Sequence, residues 1–277
     1  MLTPPVEACM PELPELEFCS RSLRRWSLGR RVVGVEVRDP RSVRAARTDR
    51  PSAGRADGEA ALRAVVLGAE PGDILRHGKR LLWQFGDMAL LLHLGMTGRW
   101  TRKAAPHTKV SLQLNDGGAL HFTDARLLGG VVPTTREAGL QMLAEGLGPD
   151  ALRDPLPPLP GRRAVKVALM DQAVVAGLGN LHAAEALWRA AIDPRLPAEE
   201  ITGERHARLA QGVSEQLRLT LAQLEEEDEI VYVEDRGAPN PFPLYQRGGE
   251  PCPRCGAPIT KFTQAGRTTW WCPGCQT

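Results

Sequence analysis

Leu16, Cys19, Leu23 and Trp26 recur at helical spacing behind Pro14, and Gly29 follows them. Proline is tolerated in a first helical turn and glycine commonly ends a helix, so this pattern predicts a helix over residues 14–28. The period then shortens to two. Val33, Val35 and Val37 alternate with Gly34 and Glu36, and Val110, Leu112 and Leu114 alternate with Ser111 and Gln113. Residues 81–85 and 90–94 are short apolar runs, and Asp116-Gly117 offers a hairpin turn into 119–122. Several short strands at this spacing predict a two-layer β domain. Residues 41–58 show neither period and read as a loop. The Pro-rich stretch 152–159 reads as a linker. Beyond it the period is helical from about 162 to 224, broken by the turn Ala176-Gly177-Leu178-Gly179-Asn180. After Pro239 the chain is rich in Pro and Gly and ends in paired cysteines.

Composition narrows this picture. A chain of 277 residues, 42% hydrophobic and 25% charged, suits about two globular domains and excludes a disordered protein. No run of 18 apolar residues is present, so no membrane span is expected. Residues 1–10 have neither the basic cluster nor the apolar core of a secretory signal. The net charge of +2 is uninformative by itself, but its distribution is not. Ten arginines between Arg21 and Arg50 face three acids, whereas 225–235 holds seven acids and no base. Such polarity suits a protein that holds a polyanion on one face, and equally a solvated surface.

Six cysteines divide into isolated Cys9 and Cys19 and two C-x-x-C pairs, Cys252/Cys255 and Cys272/Cys275. Paired knuckles present four thiolates to a tetrahedral Zn²⁺, which implies one structural ion, since four protein ligands leave no position for water. Two disulfides or a redox pair use the same residues. A segment this short cannot build a core unaided, so the metal would supply its folding energy.

Four signatures occur in order: Met10-Pro11-Glu12-Leu13-Pro14-Glu15; Lys79 within His77-Gly78-Lys79-Arg80-Leu81-Leu82; Leu169-Met170-Asp171-Gln172 leading to Gly177-Leu178-Gly179-Asn180 and Glu185; and the cysteine module with Arg267 five residues before Cys272. Together they resemble the Fpg/Nei family of bifunctional DNA glycosylases, across nearly the whole chain. Leu13 favours the formamidopyrimidine branch over the endonuclease VIII branch, where Gly is usual. The resemblance implies an α+β multidomain fold: an N-terminal β-sandwich with a leading helix (10–148), a helix–two-turn–helix domain (161–235) and a C-terminal zinc ribbon (243–277). It implies removal of oxidised purines, formamidopyrimidines and 8-oxoguanine, followed by β,δ-elimination at the abasic site. Damaged double-stranded DNA would be the partner of a monomer without a nucleotide cofactor, in a bacterial-type cytoplasm at the nucleoid.

By the same resemblance Pro11 is the nucleophile: as an N-terminal secondary amine it attacks C1′ and forms an iminium. Glu12 is the adjacent proton shuttle and Glu15 a second nearby carboxylate, although all three also suit an ordinary helix start. Lys79 and Arg267 join them in the catalytic set and, with His93 and Asn180, grip phosphates. Lys166 and Tyr245 are further backbone contacts. Met96, Arg126 and Leu128 would fill the hole left by an extruded base, with Leu128 where Phe is usual and Arg126 reading the orphaned base, cytosine.

Two departures bear on function. Pro11 is not residue 1; Met10 is expected to be the initiator, with 1–9 an extension from a start-site error, or removed by processing. If the extension stays, the chemistry moves to Lys79 or disappears, leaving a weak glycosylase or a catalytically silent lesion binder. Residues 225–245 do not match the loop that covers the flipped base in relatives, so oxidised pyrimidines or crosslinks are the alternative substrates.

Overall fold

The computed structural model describes residues 11–44 and 55–277. It divides into two compact units. The first gathers Pro11, residues 15–145 and residues 224–234; the second gathers Glu12–Pro14, residues 146–223 and residues 235–277.

The chain runs through α1 (Leu13–Ser27), β1 (Val32–Val37), α2 (Arg55–Val66), β2 (Ile74–His77), β3 (Arg80–Phe85), β4 (Met88–His93), β5 (Arg99–Thr101), β6 (Thr108–Leu114), β7 (Ala119–Thr123), β8 (Gly130–Thr135) and α3 (Arg136–Ala144). In the first unit two four-stranded antiparallel sheets form, ordered β1-β6-β7-β5 and β2-β3-β4-β8. Their apolar faces share one core, in which Trp83 meets Trp100 edge-on at 5.7 Å and Trp100 packs on Phe122 at 5.6 Å. Aromatic contacts of this kind add about 0.5–1.5 kcal/mol beyond burial.

β1 departs from simple alternation. A bulge between Val32 and Gly34 turns Val32 and Val35 inward and leaves Val33 53% exposed. A Cβ at Gly34 would lie 2.3 Å from the end of the exposed Gln113 side chain, which packs over the glycine and would have to swing aside. β2 is hidden in the sequence because Arg76 occupies an inward position; its guanidinium is fully buried and paired with Glu17 at 2.6 Å. α2 begins inside the stretch read as a loop, and residues 45–54 of that stretch lie outside the described residues. β8 carries Pro133, tolerated because this strand is at a sheet edge.

The second unit holds α4 (Val165–Met170), α5 (Asn180–Arg189), α6 (Gly203–Leu224) and the hairpin β9 (Thr260–Gln264) and β10 (Arg267–Trp271). Its core joins Val165, Leu169, Leu178, Leu187, Ile192, Leu209 and Leu217. The Pro-rich stretch is not a free linker: Leu159 is buried in this core, and Leu152 and Leu156 pack against it. The start of the acidic run, assigned from sequence to the helical domain, lies in the first unit, where Leu224, Ile230 and Tyr232 enter the β core.

Candidate functional site

In the second unit, the turn before α5 is built around Gln172. Its amide nitrogen donates to the carbonyls of Met170 (2.9 Å) and Leu178 (2.7 Å), and its oxygen accepts from the Gly177 N–H at 2.9 Å. Gly177 has φ +109, and a Cβ there would lie 2.4 Å from Leu13. Leu13 therefore sits against this turn, and its N–H donates to the Gly177 carbonyl at 3.0 Å. The glycine is required by both backbone and space.

Docking Leu13 brings Glu12 to the start of α5. No side chain of its own caps that helix. Instead, the Glu12 carboxylate accepts the N–H groups of Gly179 (2.6 Å), Leu181 (2.9 Å) and His182 (3.2 Å). A buried carboxylate thus meets the orphan donors and the positive end of the helix dipole, supplied from another part of the chain. This contact locks Glu12, the residue after Pro11, in one orientation.

Asn180 opens α5. Its oxygen accepts from Lys166 Nζ at 2.5 Å and its nitrogen donates to the Thr268 carbonyl at 3.0 Å. Lys166 is fully buried, and its ammonium also donates to the Thr269 hydroxyl at 2.9 Å. Among the described residues Lys166 thus holds Asn180 and the ribbon hairpin. Tyr245 is likewise interior, its ring 4.7 Å from Trp270 and its N–H donating to Glu185 at 2.8 Å. Glu185 also accepts the Leu244 N–H at 2.8 Å. Burial pushes the Glu185 carboxyl up, against the pull of these two N–H groups. Arg267 starts β10, just after the two-residue turn Ala265-Gly266. Both turn residues have positive φ, the geometry that fits the twist of a tight hairpin.

The four cysteine Sγ atoms lie within 4.8 Å of one another, with Cys252 to Cys275 at 3.8 Å and Cys255 to Cys272 at 3.4 Å. Tetrahedral zinc with bonds of about 2.3 Å separates its sulfurs by about 3.8 Å, so the cluster fits the ion. A Cβ at Gly274 would lie 3.0 Å from Cys255 Sγ, which explains the glycine in that knuckle.

The first unit presents a different array. Lys79 follows Gly78 (φ +52) in the tight turn joining β2 to β3. Arg76 steadies that turn by donating to the Gly78 carbonyl at 3.3 Å, and Glu17 steadies Arg76. Burial opposes ionisation of Glu17, yet Arg76 and Arg21 hold its carboxyl below the ordinary value. Arg80, beside Lys79, is engaged by the last carbonyls of α3, Met142 and Glu145.

His93 ends β4 and accepts the Gly95 N–H at Nδ1, 3.1 Å. Its pKa is lowered first by loss of hydration and then by Arg44, Arg80 and Lys79. An electropositive surround that disfavours imidazolium is one that favours an anion. If a DNA phosphate binds among these cations, as the resemblance implies, it should raise the His93 pKa. We expect the His93 ring proton resonances to titrate below the usual histidine range in free protein and higher in the DNA complex. A pKa unchanged by DNA would remove His93 from the phosphate contacts.

Met96 lies in the tight turn 94–98 and Arg126 and Leu128 in the loop 124–129. Sequence reasoning missed what fixes them, Asp124 and Arg44. Buried Asp124 accepts from the Thr97 hydroxyl, the Arg126 N–H (3.1 Å) and the Gly129 N–H (2.7 Å). Arg44 donates to the carbonyls of Leu128 (3.0 Å) and Gly129 (3.1 Å). The backbones touch: a Cβ at Gly95 would be 2.3 Å from the Gly129 nitrogen. This rigid corner presents Arg126 and a 41% exposed Leu128 to solvent.

Three family models match in order: the Formamidopyrimidine-DNA glycosylase N-terminal domain over residues 10–131, its H2TH domain over 142–228, and a zinc finger found in FPG and IleRS over 249–277. The Formamidopyrimidine-DNA glycosylase of Salinispora arenicola is 36% identical over 96% of this chain and 96% of that protein. That of Mycolicibacterium paratuberculosis is 36% identical over 96% and 98%. Among solved structures, MutM (FPG) from Thermus thermophilus is 33% identical with TM-score 0.74, over 96% of this chain and 98% of that one. A mutant Lactococcus lactis FPG in complex with Fapy-dG containing DNA is 26% identical with TM-score 0.81, over 96% and 100%. The zinc-finger match and the cysteine geometry together identify the site of one structural zinc ion.

Proposed function

Because the chain belongs to the formamidopyrimidine-DNA glycosylase family, we infer that it is a DNA glycosylase of base-excision repair, acting on oxidised purines in duplex DNA. The observation that carries the catalytic assignment is Glu12, fixed by three backbone donors in the position that follows Pro11.

In this reading translation starts at Met10, where the N-terminal family match also begins, and removal of Met10 frees the Pro11 nitrogen. That nitrogen adds to C1′ as the base departs with the glycosidic electron pair. Glu12 relays the protons: one goes to the departing base and one to the sugar ring oxygen, the amine proton is lost, and the C1′–O4′ bond breaks as the ring opens to the iminium. The iminium acidifies the C2′ hydrogen, so β-elimination expels the 3′ phosphate and δ-elimination the 5′ phosphate. Lys79, His93, Asn180 and Arg267 hold backbone phosphates. Met96, Arg126 and Leu128 occupy the space of the extruded base, and Arg126 faces the orphaned cytosine. Asn180 acts with Lys166 behind it, and the zinc ion keeps Arg267 on an ordered hairpin. The enzyme works as a monomer without a nucleotide cofactor, in the cytoplasm at the nucleoid; no helix among the described residues is long and apolar enough to cross a membrane.

Borohydride trapping on a duplex containing 8-oxoguanine, combined with intact-mass measurement, tests this reading. The expected product is a covalent adduct mapped to Pro11 in a chain that begins there, with Pro11→Gly removing it. An active preparation still beginning at Met1, with its adduct elsewhere, overturns the proline mechanism. If neither adduct nor strand scission forms on purine, pyrimidine or crosslinked lesions, the protein is a lesion binder.

A further inference from the structure

Residues 224–234 pass over the β unit as a strap, and their attachments converge on one turn. Ile230 and Tyr232 are buried in the β core. Arg99 donates to the Ile230 carbonyl at 3.2 Å and lies 4.4 Å over the Tyr232 ring. Glu229 accepts the Arg102 N–H at 2.8 Å, and Glu225 pairs with Arg21. The Tyr232 hydroxyl donates to the Gly98 carbonyl at 2.6 Å. Gly98 closes the turn bearing Met96: its N–H donates to the Leu94 carbonyl at 2.8 Å, and it has no room for a side chain, since a Cβ would sit 2.2 Å from that oxygen. The side of the Met96 turn that continues into β5 is therefore held twice, by Asp124 through Thr97 and by Tyr232 through Gly98.

We propose that Tyr232 is a positioning residue for duplex opening: through Gly98 it fixes the turn that inserts Met96, which makes the strap a brace for this step. The proposal rests on the glycosylase reading above. A buried hydroxyl on a backbone carbonyl sets the direction of a turn more sharply than apolar packing does, because the bond is directional. Removing it leaves the ring, and its contact with Arg99, in place while releasing the Gly98 carbonyl, so that Asp124 alone holds this side of the turn. Extruding a base then requires ordering Met96 at the moment of insertion.

The test compares wild-type and Tyr232→Phe full-length protein on two substrates. One is a duplex carrying 8-oxoguanine opposite cytosine, where a base must be extruded. The other is a single-stranded abasic oligonucleotide, where none is. Single-turnover excision from the duplex is expected to fall about five- to tenfold, the usual scale for one buried hydrogen bond, with borohydride trapping on the single strand unchanged. The double-mutant cycle with Met96→Ala separates positioning from general weakening: once Met96 is truncated, Tyr232→Phe should cost nothing further. Equal losses on both substrates, an undiminished loss in the Met96→Ala background, or no loss on the duplex each overturn the proposal. If wild-type protein neither excises nor traps on either DNA, the glycosylase reading fails, and that outcome is distinct from these.

Discussion

Replacing Cys272 by alanine is expected to unfold the C-terminal ribbon and to abolish excision while leaving the helical core folded. The ribbon has little apolar surface of its own, and its order comes from the metal; structural zinc in modules of this size contributes on the order of 10 kcal/mol. Cys272 is fully buried among the four sulfurs, and its N–H donates to the Gln276 side chain at 2.8 Å. Gln276 in turn donates to the Ile192 carbonyl at 2.9 Å, at the corner after α5. β10 also carries Thr269, which receives the Lys166 ammonium, and Arg267 at its start. Loss of one ligand thus removes Arg267 from its hairpin and uncovers the Lys166–Asn180 pair. Zinc content should fall from one ion per chain to near none, tryptophan emission should shift to the red as Trp270 becomes wet, and excision should drop about a hundredfold or more. The core around Leu169, Leu187 and Leu217 lacks contact with the metal, so the main thermal transition should remain. A zinc-free variant with wild-type excision would contradict this assignment.

The second large effect is expected at Glu12. Glu12→Gln keeps shape and size but replaces one accepting oxygen with an NH₂ group that faces an N–H of α5. With Gly179, Leu181 and His182 all donating to this carboxylate, the change leaves at least one buried donor unsatisfied. Charge-assisted bonds of this kind are worth about 1.5–3 kcal/mol each, so a loss of about 2–4 kcal/mol of stability is expected by chemical denaturation. Catalysis should fall further than stability explains, because the proton relay goes with the carboxylate: trapping on abasic DNA should slow by about two to four orders of magnitude at temperatures where the variant is folded. A stable, folded Glu12→Gln protein that traps at the wild-type rate would leave Glu12 a helix cap and nothing more.

How much of this was legible in the sequence depended on the distance over which each feature is determined. The cysteine pairs announce a metal because ligand spacing within each knuckle is local. The leading helix and most sandwich strands follow from short-range periodicity, and α1 ends one residue from its expected stop. Periodicity failed where one side chain broke the pattern for a tertiary reason. Arg76 sits inside β2 because Glu17 waits for it, and Val33 faces solvent because of a bulge. α2 and α3 lack the long apolar stripe that would have separated them from loops. The capping role of Glu12 was invisible, since its partners lie 167 to 170 residues away. Burial was equally hidden at Lys166 and Tyr245, which the resemblance implied as backbone contacts and whose side chains lie inside the fold.

The contact between Gly95 and Gly129 has an evolutionary consequence. Two main-chain segments pressed together without side chains leave no freedom at the glycines and a great deal beside them. Met96, Arg126 and Leu128 project from a corner whose shape they do little to determine, so they can be exchanged singly at small cost to the scaffold. If these side chains meet the orphaned base, drift in opposite-base preference would accumulate at those three positions, with the glycines beneath them unchanged.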